Sequence, residues 1–360
     1  MKFTIIGAGA IGGLAGAYMT EAGHDVTLVD RWAEHVDAMK ADGLRIDGVR
    51  GDKHVAVKAA MPDELSGDLG VVLIATKSQH AVEATEAIAP LLAADSCVIS
   101  FQNGFNEPDM IAALNKAGLP GDKIVMGSIP NYGGALVDPG QIEFVHEGPI
   151  QLGELDGSMS DRLRDIADAL SALTEVQVSN RIWGQIWAKE VYASQVVFSA
   201  LVDAPIRETL GNERYARIAG AIVKEALEIA DAKNIDVQPF DFFDPANYRV
   251  KTAEDTRKLL DNVNHAIWLL KKDQDTKPQH NFRKKGSGIW WDIVYRKRPS
   301  ETRSSSGKLI DFGREAGADT RLNAKLFEMI YEIEDCKRDL GFHNYDELEA
   351  YVAECGKTLP

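Results

Sequence analysis

The sequence predicts an α/β fold in its first half and an all-helical second half. Three observations carry this. Up to about residue 180, continuous apolar runs alternate with amphipathic stretches, the pattern of a parallel sheet covered on both faces. A glycine-rich turn, Gly7-Ala8-Gly9-Ala10-Ile11-Gly12, follows the first apolar run. From Arg181 onward the apolar residues recur with a period of about 3.6, as on one face of a helix.

The first strand is Phe3-Thr4-Ile5-Ile6, and the glycine turn leads into a helix from Ala10 to Glu21 that stops at Gly23. The second strand is Val26-Thr27-Leu28-Val29, closed by Asp30. In this context Gly7 permits a tight turn, Gly9 lets the backbone approach a pyrophosphate, and Gly12 lets the helix pack close to the strand. The helix N-terminus at Ala10 and Ile11 then faces the phosphates with free N–H groups and a partial positive charge. The plain alternative is a glycine-rich loop between two core strands. Motif and context together favour dinucleotide binding.

Further apolar runs at Gly70–Ala75, Cys97–Phe101 and Ile124–Gly127 read as strands, and Ala81–Leu92 as an amphipathic helix. At Gln141–Val145 the pattern changes to alternation. Gly148-Pro149 then leads into Ile150–Gly153, which predicts a hairpin on the sheet edge. The expected domains are residues 1–180 and 181–360. In the second, helices are expected at Arg181–Leu201, Tyr215–Lys233, Thr252–Lys272, Ser306–Ala316, Asn323–Arg338 and Tyr345–Cys355. Gln238–Pro245 interrupts them, and Lys277–Gly286 reads as a polar, basic loop.

Bulk properties narrow the function classes. The chain has 360 residues, 45% apolar and 26% charged, as in a globular protein that fills two domains. A net charge of −15 argues against nucleic acid or an anionic membrane surface as a partner. Met1-Lys2 leads straight into a core strand, and no apolar run is long enough to span a bilayer. Cys97, Cys336 and Cys355 are few and widely spaced, which fits a reducing compartment and no metal site. A cytoplasmic location is the expectation.

In an open parallel sheet, ligands bind beyond the carboxyl ends of the strands, where the strand order reverses. Lys77 and Gln79 follow the strand ending at Thr76, and Gln102-Asn103-Gly104 follows the strand ending at Phe101. Both groups project at the edge that carries the glycine turn. Lys77 can carry charge to a phosphate, a ribose or a carboxylate, and Asn103 offers a donor and an acceptor to a nicotinamide or a substrate. Each alone is an ordinary polar loop residue. In the second half, Lys189 follows Trp187-Ala188 on the first helix. It reads either as a surface lysine lying along apolar neighbours or as a buried general acid that protonates an alkoxide.

These residues resemble the ketopantoate reductase family. The glycine turn, Thr76-Lys77-Ser78-Gln79, Gln102-Asn103-Gly104, Trp187-x-Lys189, and Asp292 through Arg298-Pro299-Ser300-Glu301 occur in that family's order, followed by Gly307 and the helix Leu309–Ala316. The resemblance implies a Rossmann domain and an all-helical domain of the 6-phosphogluconate dehydrogenase C-terminal type, with the active site between them. It implies hydride transfer between NAD or NADP and a 2-oxo or 2-hydroxy acid. It assigns Lys189 as the general acid, Glu301 to the substrate hydroxyl, and Lys77 and Asn103 to cofactor and substrate.

Three departures stand out. Family members carry asparagine four residues after the lysine, where this chain has Ala193, with Ser194 and Gln195 next. The family's serine ahead of the aspartate matches Gly288, beside Ser287. The stretch from Lys189 to Gly288 is longer than in short family members, with the extra material placed between Asp236 and Lys285. Substrate contacts are therefore expected from Ser194, Ser287 and Trp291, although the pair Trp290 and Trp291 also reads as helix packing. The basic run Arg283-Lys284-Lys285 is either a solvated charge run or a lid. Losing two polar anchors predicts an acid other than ketopantoate. The alternative is a true 2-dehydropantoate 2-reductase, and a different class is a dinucleotide-sensing protein without turnover. Asp30 favours NAD by accepting from ribose hydroxyls and repelling a 2′-phosphate. Arg31 matches the arginine that engages the NADP phosphate in the family, so the balance leans to NAD without excluding NADP. A homodimer is compatible with the added helical segment.

Overall fold

The computed structural model describes residues 1–240, 243–249, 252, 254–255, 257–261, 287–357 and 359. Most of the helix expected at Thr252–Lys272, and the end of the insertion expected between Asp236 and Lys285, including Arg283-Lys284-Lys285, lie outside them. The chain divides into two compact units, Met1–Ile186 and Trp187–Pro360.

The first unit is built on an eight-stranded sheet. Its strands are β1 (Lys2–Ile6), β2 (Asp25–Val29), β5 (Lys58–Ala60), β6 (Val71–Ile74), β7 (Cys97–Ser100), β8 (Val125–Pro130), β11 (Ile150–Glu154) and β12 (Val176–Val178). The order across the sheet is β12-β11-β8-β7-β6-β1-β2-β5. From β5 to β8 every neighbouring pair is parallel, and the order reverses between β1 and β6. That is the doubly wound arrangement, with its crevice at the reversal.

Strand alternation explains why the sheet is covered twice. Phe3, Ile5, Leu73, Cys97, Ile99 and Met126 face a core shared with α1 (Ala10–Glu21) and α6 (Asp161–Leu170). Ile6, Val72, Ile74, Val98 and Val125 face the opposite core, with α3 (Ala81–Ile88) and α4 (Glu107–Lys116). Burial pushes the Cys97 thiol up to about 12, so it is an inert core residue.

The hairpin expected from Gln141–Val145 and Ile150–Gly153 does not form. β10 (Gln141–His146) instead pairs antiparallel with β9 (Gly133–Asp138) and parallel with β3 (Leu44–Gly48). With β4 (Lys53–Val55) these make a separate four-stranded sheet, ordered β4-β3-β10-β9. β11 pairs antiparallel with β8 and is capped by β12. The reason is burial on both faces of β11, where all five residues are buried, whereas β10 alternates. Such a strand belongs inside the large sheet.

The second unit is helical. It contains the later part of α7 (Ile182–Ser199), a short α8 (Ile206–Thr209), the long α9 (Glu213–Ala232), and helices Lys308–Glu315, Arg321–Glu334 and His343–Glu354. Its core gathers Val197, Phe198, Leu201, Ile222, Phe327 and Leu348, with the Phe198 and Tyr345 rings stacked at 4.0 Å. The Arg321–Glu334 helix has no acid in its own first turn. Buried Glu225 on α9 caps it instead, accepting from the Leu322 N–H at 3.1 Å and the Asn323 N–H at 2.7 Å, and pairing with Lys357. This helix ends before the expected Arg338, because Cys336 takes the left-handed φ of +57° and the Lys337 N–H turns back to the Glu332 carbonyl.

Candidate functional site

At the carboxyl edge of the first sheet, four strand ends are tied into one constellation. The Gly7 N–H donates to the Val29 carbonyl at 2.7 Å, and the Ala75 N–H donates to the Ile6 carbonyl at 2.8 Å. Gly7 has φ +102°, and a Cβ there would lie 2.7 Å from the Ala75 carbonyl carbon and the Thr76 nitrogen. A Cβ on Gly12 would lie 2.1 Å from the Gly7 oxygen. Both positions are closed by protein. At Gly9 a Cβ would meet nothing within 4 Å, so this face of the turn is open.

Gly9 is also the N-cap of α1, with no side-chain cap and no acid in the first turn. The N–H groups of Ala10 and Ile11 therefore open a positively polarised helix end toward that open face. A diphosphate fits this chemistry, since it supplies the acceptors that no side chain supplies.

Asp30 stands beside the turn. Its Oδ2 accepts from the Ala8 N–H at 3.0 Å and its Oδ1 from the Trp32 N–H at 3.0 Å. Each oxygen keeps a lone pair for a ribose hydroxyl. Exposed Arg31 donates from Nη2 to His80 Nε2 at 3.0 Å. That contact joins the end of β2 to the turn after β6, where Lys77 and Gln79 are exposed. Gln102 donates from Nε2 to the Thr76 carbonyl at 2.7 Å and to Thr76 Oγ1 at 2.9 Å. Ser78 donates to Asn106 Oδ1 at 2.6 Å, and Asn106 Nδ2 donates to the Asn103 carbonyl at 2.8 Å. The glycine turn, Asp30, Arg31, Lys77, Gln79 and Asn103 thus sit on loops that are linked one to the next.

Two members of this constellation were not singled out in the sequence. Buried Tyr132, after β8, donates its hydroxyl to the Ile11 carbonyl at 2.7 Å, and burial holds its phenol well above the usual range. His35, on α2 (Ala33–Asp42), is fully buried and contacts the Ala8 carbonyl. The only signal for His35 is a polar residue on the apolar face of an amphipathic helix. Tyr132 has none, because its partner lies far away in the chain.

In the second unit, half-buried Lys189 lies on α7 with its Nζ 5.9 Å from the centre of the Phe240 ring. Trp187 is buried, and its ring lies 5.3 Å from Phe312. Ser194 is fully buried on the same helix, and its Oγ finds no hydrogen-bond partner among the described residues. Gln195, also buried, accepts from the Tyr248 hydroxyl at 3.3 Å. Ser287 uses its Oγ to accept from the Trp290 N–H at 3.1 Å, capping the turn Gly288–Trp290. Trp291 opens a π-helical turn, Trp291–Tyr295, and stacks on Tyr295 at 4.0 Å. Trp290 donates from Nε1 to Asp203 at 3.0 Å. Buried Asp292 pairs with Arg298 at 2.8 Å, which closes the loop that leads to Glu301. Glu301 is half-buried, and its carbonyl accepts from the Ser304 and Ser305 hydroxyls at 3.0 and 2.9 Å. Among the described residues, no group of His, Cys, Asp and Glu could hold a metal ion, and no helix is long and apolar enough to cross a membrane.

Comparison with known proteins follows the same division. The model "Ketopantoate reductase PanE/ApbA" matches residues 3–157, and "Ketopantoate reductase PanE/ApbA C terminal" matches residues 181–334. The 2-dehydropantoate 2-reductase of Pyrococcus abyssi is 33% identical over 281 residues, covering 76% of this chain and 87% of the relative. The chain belongs to the ketopantoate reductase family. It is an NAD(P)-dependent oxidoreductase acting on CH–OH donors, which sets aside a dinucleotide sensor without turnover. The 2-dehydropantoate 2-reductase of Archaeoglobus fulgidus is 26% identical over 337 residues, covering 92% of this chain and 98% of the relative. Among solved structures, a PanE/ApbA family ketopantoate reductase from Ralstonia eutropha JMP134 aligns with TM-score 0.72 at 24% identity, covering 94% of this chain and all of that one. D-mandelate dehydrogenase with NADH and anilino(oxo)acetate aligns with TM-score 0.75 at 20% identity, covering 94% of this chain and 99% of that one. These two share the α/β-plus-helical fold of this ketopantoate reductase family member.

Proposed function

We propose that this chain reduces 2-dehydropantoate to the 2-hydroxy acid, as its relatives named 2-dehydropantoate 2-reductase do. The observation that carries the reading is the 33% identity to the Pyrococcus abyssi protein over 281 residues, with both halves of the family matched in one chain. A reduced nicotinamide dinucleotide supplies the hydride for the carbonyl carbon when bound. Gly9, Ala10 and Ile11 hold its diphosphate on a turn that Gly7 and Gly12 shape, Asp30 holds its adenosine ribose, and Lys77, Gln79 and Asn103 the nearer parts. Lys189 gives a proton from Nζ to the carbonyl oxygen as that oxygen becomes the hydroxyl, and Glu301 holds the hydroxyl. NAD is the proposed cofactor, because Asp30 repels a 2′-phosphate. Arg31 beside His80 is the feature that favours NADP.

A different 2-oxo acid is the second reading, and Ala193 and Gly288 favour it. Ser287 already caps its own helical turn, so its hydroxyl is a poor substitute for a lost anchor. Ser194 is fully buried. The test is loss of nicotinamide absorbance with 2-dehydropantoate and a panel of 2-oxo acids, using each reduced cofactor in turn. The proposal predicts the highest kcat/KM for 2-dehydropantoate. A tenfold preference for another acid selects the second reading, and no turnover of any overturns both.

A further inference from the structure

We infer that His35 is a positioning residue for the dinucleotide site, and that it ties the glycine turn to the small second sheet. The observations concern one residue, Ala8, and the two peptide units that flank it. The N–H of Ala8 donates to Asp30 Oδ2 at 3.0 Å, and the carbonyl of Ala8 accepts from His35 Nε2 at 2.9 Å. Ala8 lies between Gly7 and Gly9, so two successive peptide units of the turn are each held from outside. The other ring nitrogen is committed as well. His35 Nδ1 accepts from the Gly140 N–H at 2.8 Å, in the turn that joins β9 to β10.

Only one protonation state satisfies both contacts. Nδ1 faces an N–H and must carry a lone pair; Nε2 faces a carbonyl and must carry the proton. The tautomer of His35 is therefore set by the two backbones it joins. The ring is locked in place. It has no exposed surface, and Trp32 stacks on it at 5.7 Å and 26°. Trp32 in turn donates its N–H to Asp30 Oδ1 at 3.0 Å. On the far side, a Cβ at Gly140 would lie 3.0 Å from the Ala38 Cβ, so helix and hairpin turn are in close contact.

The mechanical consequence follows from the glycines. Gly7 and Gly9 give this stretch wide backbone freedom. A turn that binds a diphosphate through its backbone must nonetheless present its N–H groups in one orientation. His35 and Asp30 together remove that freedom before the ligand arrives. The second sheet, remote from the cofactor in sequence, thereby becomes part of the cofactor site.

The inference rests on the proposed cofactor site, and direct binding tests it. NADH and NADPH are titrated against full-length protein by tryptophan fluorescence quenching, well below the melting temperature. His35→Ala is expected to raise the Kd of the bound dinucleotide at least tenfold. The KM for cofactor should rise in step, and the KM for the oxo acid should change less than twofold. His35→Gln retains an N–H for the Ala8 carbonyl and an amide oxygen for the Gly140 N–H but lacks the rigid ring that holds both in place, so its Kd should fall between wild type and His35→Ala. If His35→Ala melts lower yet binds dinucleotide within twofold of wild type, the residue is structural only and the inference fails. It fails equally if His35→Gln binds no better than His35→Ala. Wild-type protein that binds neither dinucleotide overturns the cofactor site and the inference together.

Discussion

Adding one methyl group at Gly9 or at Gly12 should give opposite results, and the geometry sets both magnitudes. Gly9 has φ −65° and ψ −164°, which alanine adopts without strain, and its Cβ would meet nothing within 4 Å. The cost to folding of Gly9→Ala is that of a poorer N-cap, up to about 1 kcal/mol. For a unit of this size that is a melting shift of about 2–4 °C. The methyl, however, occupies the face that the diphosphate must approach. Losing two charge-assisted hydrogen bonds at about 1.5 kcal/mol each raises the dinucleotide Kd by about a hundredfold. At Gly12 the added Cβ would lie 2.1 Å from the Gly7 oxygen and 2.9 Å from Ala75 Cβ and Ile5 Cγ2. These atoms belong to the turn, to β1 and to the residue that follows β6, so α1 itself must move. Gly12→Ala should cost about 2–3 kcal/mol and lower the melting temperature by about 5–10 °C. Differential scanning calorimetry and fluorescence titration with NADH and NADPH read both quantities. Gly9→Ala binding either cofactor within twofold of wild type would refute the assignment of the open face to the diphosphate.

Lys189→Ala should lower kcat by about 10²–10⁴ with little change in dinucleotide Kd; a fall below tenfold removes Lys189 as the proton donor. Arg31→Ala should lower kcat/KM for NADPH more than for NADH, and an equal effect on both would mean that Arg31 does not face a 2′-phosphate. Tyr132→Phe should destabilise the first unit by about 1 kcal/mol, because the carbonyl of half-buried Ile11 loses a donor, measured by urea unfolding. The Glu347 carboxyl is lowered from 4.5 to about 2, first by the hydrogen bond from Arg338 and then by that from Lys325. Its folded value lies below its unfolded value, so its contribution is complete above about pH 4.5 and is lost as pH falls toward 2. Glu347→Gln should therefore flatten unfolding free energy against pH in that window, and an unchanged slope would contradict the pairing.

The large sheet was legible because each central strand carries its own evidence. Phe3–Ile6, Val71–Ile74 and Cys97–Ser100 are apolar on both faces, and only a strand buried on both faces needs that. The glycine turn was legible for the same local reason, since Gly7 and Gly12 are required by contacts with the immediately adjoining strands. The helices of the second unit were read from periodicity, which also depends on near neighbours. The small sheet was not legible. β3 pairs with β10 across a long sequence separation, Arg45 against Gln141. Nothing local distinguishes it from a loop. Alternation at β10 shows a half-buried strand but not its partner, so the sequence suggests a hairpin with β11 where the structure pairs β10 with β9.

The candidate site divides along the same line. By itself the sequence determined which residue types stand at strand ends on the carboxyl edge, three glycines, Asp30, Lys77 and Asn103, and that Lys189 lies on a helix of the second half. Those follow from position in a motif, and a motif is a local object. Only the tertiary structure decided what holds them. It turned Asp30 toward the Ala8 N–H, brought Arg31 against His80, spent the Ser287 hydroxyl on its own helix cap, and set His35 and Tyr132 behind the glycine turn. Hydrogen bonds of this kind depend on angstrom-scale placement of chain segments that are distant in sequence, and that placement exists only once the sheets have packed.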